Sequence, residues 1–292
     1  MEQPPDLRGK VVLITGGNAG IGRAAAVELA RMGATVLITS RDEQKGADAL
    51  AELRRRSGRD DAAVLPLDLA SLRSVRALAE RVLRDYDRLD VLVNNAGAVL
   101  SERKPTEDGF EATFGVNHLG HFLLTELLVE RLKQSAPARI INVASVAHRF
   151  VPGGFSFADP QFERRRYRGA AAYNQSKLAN ILFTMELARR LAGTGVTANA
   201  LHPGAVASDF GSADDTRGLE RVAMVLGRPF LISPERGART VVYLASSSAV
   251  AGVTGGYFVR CRMHTPSRAA RDPQAARRLW ELSEQLLARA GS

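Results

Sequence analysis

Tyr173 and Lys177 stand four residues apart in Tyr173-Asn174-Gln175-Ser176-Lys177, inside an apolar-periodic segment that runs on to Leu191. On a helix, residues four apart share one face, so the phenol and the ammonium would point the same way. A cation beside a phenol favours the phenolate and moves a group that ordinarily titrates near ~10 toward the range useful for proton transfer. An ordinary amphipathic helix with one aromatic and one solvated lysine has the same pattern. The pair becomes chemical only if other parts of the chain supply partners.

The first partner candidate is a glycine-rich turn. Val11-Val12-Leu13-Ile14-Thr15 is a β-branched run suited to a strand buried on both faces, and it leads into Gly16-Gly17-Asn18-Ala19-Gly20-Ile21-Gly22 and then a helical pattern through Met32. Strand, glycine turn and helix in that order let a backbone approach a pyrophosphate at a helix N-terminus. The next strand, Thr35 to Thr39, is followed by Ser40-Arg41-Asp42. An acid at this place binds ribose hydroxyls and an arginine accommodates a 2′-phosphate, so Arg41 argues for NADP(H) over NAD(H), with Asp42 as the counter-indication.

Further strands end in small or polar residues. Ala63 to Leu67 leads to Asp68-Leu69, where the acid would accept from an adenine amino group, cap the helix starting near Ser71, or do both. Leu92-Val93-Asn94-Asn95-Ala96-Gly97 offers amides that tie loops together and, in Ala96 and Gly97, room for a ligand against the backbone. Arg139 to Ser145 puts a serine at a strand's carboxyl end, and Val196 to Leu201 ends in His202-Pro203-Gly204. A last strand is expected around Gly255 to Val259, and a helix from Gln274 to Ala290 with Leu279, Trp280, Leu286 and Leu287 as its core stripe. Within a helical stretch from Asp108 to Gln134, Asn117 occupies an apolar middle and needs partners, as a structural tie or part of a polar relay. His118 and His121 have ligand-like spacing but no third ligand, so no metal is expected.

Composition bounds the alternatives. The 292 residues are 45% hydrophobic and 24% charged, as in soluble globular proteins, with neither a linker nor a repeat. One domain spanning residues 1–292 is expected, with irregular segments at 149–172 and 205–236 lining the substrate. The second carries Phe210, Met224, Leu226, Phe230 and Leu231 and has the character of a lid. A net charge of +9 raises the question of nucleic acid. The arginine runs 54–56 and 164–166 are short and lack interleaved aromatics, so none is expected. The chain shows no signal pattern at its start and no long apolar span, and Cys261 is its single cysteine. A cytoplasmic location without a membrane span is expected.

Taken together, Thr15 to Gly22, Asp68-Leu69, Asn94 to Gly97, Asn117, Ser145, Tyr173 to Lys177 and Pro203-Gly204 resemble the short-chain dehydrogenase/reductase family in its own order along nearly the whole chain. The stretches Phe114 to Phe122, Ser176 to Asn180 and Ala276 to Trp280, with the long gap between Ser145 and Tyr173, are most similar to its retinol dehydrogenase, WW-domain oxidoreductase and protochlorophyllide reductase-like branch.

The resemblance implies an α/β single-domain Rossmann fold, a doubly wound sheet of seven parallel strands with helices on both faces. It implies that Tyr173 is the proton donor, that Lys177 binds the nicotinamide ribose and favours ionised Tyr173, that Ser145 holds the substrate oxygen, and that Asn117 supports a water linking Lys177 to solvent. The cofactor would contact Gly16, Asn18, Ala19, Gly20, Ile21, Gly22, Arg41, Asp68, Leu69, Asn95, Ala96, Gly97, Tyr173, Lys177, Pro203, Gly204, Val206 and Ser208, the last standing where the family has threonine. The expected activity is NADP(H)-dependent hydride transfer with a small hydrophobic ketone, aldehyde or alcohol. The alternatives are a dedicated ketoreductase of a secondary-metabolite pathway and a non-catalytic dinucleotide-binding regulator. Homodimers or homotetramers through the helices bearing Asn117 and Tyr173 are a family expectation.

Overall fold

The strands are short and continuously apolar because both faces of the sheet are covered. In the computed structural model, which describes residues 6–204 and 232–290, β1 (Val11–Ile14) is buried at every position. Its Val12 and Ile14 face one helix layer and its Val11 and Leu13 the other. β2 (Thr35–Ser40), β3 (Ala63–Pro66), β4 (Val91–Asn94), β5 (Ala138–Val143), β6 (Val196–His202) and β7 (Tyr257–Val259) join it in the order β3-β2-β1-β4-β5-β6-β7. All these pairings are parallel, as expected for seven strands. A two-residue strand, β8 (Arg262–Met263), adds an antiparallel edge beside β7. The order reverses between β1 and β4, which opens a crevice at their carboxyl ends.

One face carries α1 (Gly20–Arg31) and α2 (Glu43–Ser57); the other carries α3 (Leu72–Asp85). α2 runs one turn past its expected end at Arg54, stopping where Gly58 turns left-handed at φ 72°. The helix expected from Asp108 starts later, because the Glu111 carboxylate takes the backbone N–H groups of Thr113 and Phe114 at 2.8 Å each. α4 (Ala112–Phe114) then passes through a π-helical turn, Gly115–Leu119, into α5 (Gly120–Gln134). α6 (Gly169–Arg190) begins at Gly169, so the irregular segment before it ends at Arg168 rather than 172, and a 3-10 turn, Val146–Phe150, overlaps its start. α7 (Pro234–Ser246) is capped by Ser233 and cuts short the segment placed at 205–236; residues 205–231, with Val206, Ser208, Phe210, Met224, Leu226, Phe230 and Leu231, lie outside the described residues.

α8 (Pro273–Ala290) completes the second layer by packing on α6. Its Trp280 is 3% exposed and meets Phe122 and Phe183 at ring distances of 4.8 and 5.8 Å. Leu279 and Leu287 are buried as the stripe requires, while Leu286 lies at its margin. Polar side chains also cross this layer. The Asn94 amide donates to Asn142 Oδ1 at 2.8 Å and Thr125 Oγ1 at 3.0 Å, and Asn142 donates to Thr184 Oγ1 at 2.9 Å.

Candidate active site

Every strand from β1 to β6 delivers its candidate residues at the same, carboxyl edge of the sheet. After β1, Gly16 adopts φ 64°, which an L side chain rarely tolerates, and a Cβ at Gly22 would stand 2.5 Å from the Gly16 carbonyl. The turn through Asn18, Ala19, Gly20 and Ile21 is therefore wrapped tightly on its own helix. α1 begins with no side-chain cap and no acid in its first turn, leaving N–H groups and the positive end of the helix dipole for an anion. Asn95 closes the other wall, its amide donating to Thr15 O at 2.8 Å, and Ala96 and Gly97 follow it.

At the end of β2, Asp42 is the N-cap of α2 and accepts from the Lys45 N–H at 2.9 Å. Its carboxylate is thus engaged in the helix, while Arg41 is exposed. After β3, Ser71 rather than Asp68 caps α3. The capping role considered for Asp68 falls away, because its carboxylate instead closes a local turn onto Ala70 N at 2.9 Å and is exposed. The Leu69 carbonyl lies against Gly120, where a Cβ would come within 2.8 Å. Pro203 and Gly204 follow β6.

Ser145, Tyr173 and Lys177 converge beyond β5. The Ser145 hydroxyl hydrogen-bonds that of Tyr173 and accepts from Ala147 N at 3.2 Å. Lys177 is buried, donates to the Val143 carbonyl at 3.0 Å and stands 5.5 Å from the centre of the Tyr173 ring. Asn180, one turn on, donates to the same carbonyl at 3.3 Å. Burial pushes the Tyr173 phenol up to about 12, against a smaller downward pull from Ser145, and pushes Lys177 down to about 8. The expected lowering of Tyr173 by Lys177 does not occur in this chain alone. Burial dominates the phenol, and the Lys177 ammonium is turned to a backbone carbonyl.

Asn117 sits on the π turn with its side chain fully engaged. Its Oδ1 accepts from Ala98 N at 2.7 Å, and its Nδ2 donates to Ala98 O and Ser176 Oγ at 2.9 Å each. The side chain is a structural tie between the β4 loop and α6, and the main-chain carbonyl of Asn117 lies 3.3 Å from His121 Nδ1. π turns of this kind recur at functional sites.

Gln175 and His148 were not singled out from the sequence, whereas His118 and His121 were, as a pair with ligand-like spacing. Gln175, between the tyrosine and the lysine, holds the 149–168 segment by donating to Pro160 O at 2.8 Å and accepting from Arg165 at 2.7 Å. His148 donates through Nδ1 to the Ser145 carbonyl at 2.6 Å and accepts from Ser267 N at 3.1 Å, tying the serine to the segment before α8. His118 and His121 part company: the first meets Ser283 at 2.8 Å, the second Thr15 at 2.9 Å. The four-residue step from Asn117 to His121 was the available signal.

The comparisons agree with this geometry. Residues 10–157 match the family described as short chain dehydrogenase, and residues 161–260 that described as enoyl-(acyl carrier protein) reductase. Retinol dehydrogenase 12 of Mus musculus is 48% identical over 96% of this chain and 86% of its own length. Retinol dehydrogenase 13 of Homo sapiens is 45% identical over 96% and 85%. Among solved structures, an uncharacterized protein from Mycobacterium paratuberculosis superposes with a TM-score of 0.78 at 38% identity, covering 97% of this chain and 95% of that one. The RhlG/NADP active-site complex of Pseudomonas aeruginosa gives 0.69 at 30% identity, covering 94% and 100%. A 3-ketoacyl-(acyl-carrier-protein) reductase from Brucella melitensis complexed with NADH gives 0.66 at 28% identity, covering 87% and 97%. With one matched profile running through the glycine turn and Ser145, and relatives near half identity over almost its full length, the chain belongs to the short-chain dehydrogenase family of oxidoreductases.

Proposed function

We propose that this chain transfers hydride between NADP(H) and a hydrophobic ketone or aldehyde, or the corresponding alcohol, as one domain. The observation that carries the reading is the hydrogen-bonded pair of Ser145 and Tyr173 hydroxyls with Lys177 buried behind it, at the sheet edge that also holds the glycine turn. The residues present suit a nicotinamide dinucleotide. Gly16 and Gly22 let the turn close tightly, since a Cβ at Gly16 would press on Ala96 and one at Gly22 on the Gly16 carbonyl, and the uncapped start of α1 suits a pyrophosphate. When bound, the cofactor would supply the hydride. Tyr173 would deliver the proton to the developing alkoxide, Ser145 would hold the same oxygen, and Lys177 would turn from the Val143 carbonyl toward the ribose.

The choice of NADP(H) is supported by Arg41, exposed at the end of β2, and by the use of Asp42 as a helix cap. A hydrophobic substrate is supported by Val146 and Phe150, 41% and 67% exposed just after Ser145. Among the described residues no helix is long and apolar enough to cross a membrane. The test is a fluorescence titration with NADPH and NADH, on the parent and on Arg41→Ala. Tighter binding of NADPH, lost in the variant while NADH binding is kept, is the expected result. Binding of neither dinucleotide sinks the reading, and preference for NADH would transfer the ribose contact to Asp42.

A further inference from the structure

His121 joins two parts of the site that are far apart in sequence. It is 3% exposed, its Nε2 stands 2.9 Å from Thr15 Oγ1 at the head of the glycine turn, and its Nδ1 stands 3.3 Å from the Asn117 carbonyl on the π turn. Counting protons gives the direction of both bonds. Thr15 Oγ1 already accepts from the N–H groups of Asn95 at 2.9 Å and Ala96 at 3.0 Å, so both its lone pairs are used. Its one proton can go to the Val93 carbonyl, 3.3 Å away and already accepting from Thr15 N, or to His121 Nε2 at 2.9 Å. The nearer acceptor takes it. His121 is then a neutral ring with its proton on Nδ1, donating to the Asn117 carbonyl. The chain continues from the Asn117 amide to Ser176 Oγ at 2.9 Å, and from that hydroxyl to the Tyr173 carbonyl at 2.8 Å.

We propose that His121 is a positioning residue coupling the dinucleotide turn to the catalytic helix, through Thr15 on one side and the Asn117 carbonyl, Ser176 and the Tyr173 backbone on the other. The proposal rests on the dinucleotide reading above. The ring orients rather than exchanges: burial, together with the Lys177 charge, keeps it uncharged. His118, three residues earlier, serves a different end. It donates to Ser283, whose own proton goes to Leu279 O at 2.8 Å, and so only holds α8.

Thr15→Val and Ser176→Ala cut the chain at its two ends, and a double-mutant cycle on kcat for NADPH-dependent reduction of a hydrophobic aldehyde reads their coupling. In the parent, the two effects should depart from simple multiplication by at least about threefold. In a His121→Phe background they should multiply. His121→Asn, which keeps a donor near the Asn117 carbonyl without reaching Thr15, gives the same cut if the Phe variant does not fold. Coupling that persists without the imidazole, or is missing in the parent, overturns the proposal, whereas a histidine that merely fills space leaves the coupling unchanged. The cycle is repeated on urea unfolding. If the parent binds no dinucleotide, the functional reading fails by itself and the unfolding cycle still decides whether His121 couples the two ends.

Discussion

Lys177 shows how far burial can work against a charge. Its pKa is about 8 in the folded chain against an ordinary 10.5, so between these values the unfolded chain holds more protons. Stability should therefore rise with pH across that window. Tyr173 acts in the opposite sense, but only above its ordinary 10.0. In Lys177→Met the rise from about pH 8 to about pH 10 should flatten, as urea midpoints at the two pH values would show; an identical pH response in both proteins would contradict the burial argument. Tyr173→Phe should lower turnover by at least about 100-fold while sparing dinucleotide affinity. The parent's carbonyl reduction should stay level through neutral pH, because the raised phenol keeps its proton, and alcohol oxidation should climb with pH. Retained turnover in the Phe variant would remove Tyr173 as the acid.

At the scale of elements, α8 is where a small contact matters most. Trp280 wedges between Phe122 and Phe183, takes the Arg190 guanidinium over its face at 4.1 Å, and donates to Glu284 at 2.7 Å. Trp280→Ala should cost about 3–5 kcal/mol in urea unfolding, the range for a buried large-to-small change. A cost below about 1 kcal/mol would mean that α8 is held elsewhere. Much of this architecture was legible. The unbroken, mostly β-branched run from Val11 to Ile14 identified a doubly covered strand, and Leu279, Trp280 and Leu287 marked the docked stripe. Helix starts were less legible, because a cap is a local competition: Glu111 wins the N–H groups that an earlier start at Asp108 would need, and Ser71 outcompetes Asp68. The burial that raises the Tyr173 phenol was not legible either, since spacing places Lys177 on the right face but says nothing of the Val143 carbonyl that takes its ammonium. Gln175 and His148 were invisible for a similar reason, as their partners come from loops with no periodic pattern.

For the whole molecule, the sheet gathers the outputs of six strands at one edge, while a layer of helices on each face keeps them rigid. The face of α6 that meets α8 is occupied within the chain, so any assembly of copies through α5 and α6 must share that region with α8. The amides of Asn94 and Asn142, paired with each other and with Thr125 and Thr184 inside an otherwise oily layer, have one further effect. Apart from Arg139 and the two asparagines, β4 and β5 are aliphatic, so sliding one past the other would change little of how much oil is hidden. Such a slide would strand two buried amides without partners, at about 1–3 kcal/mol for each group left wanting. The polar rung thus acts as a proofreader during folding, rejecting misaligned sheets that greasy side chains alone would accept.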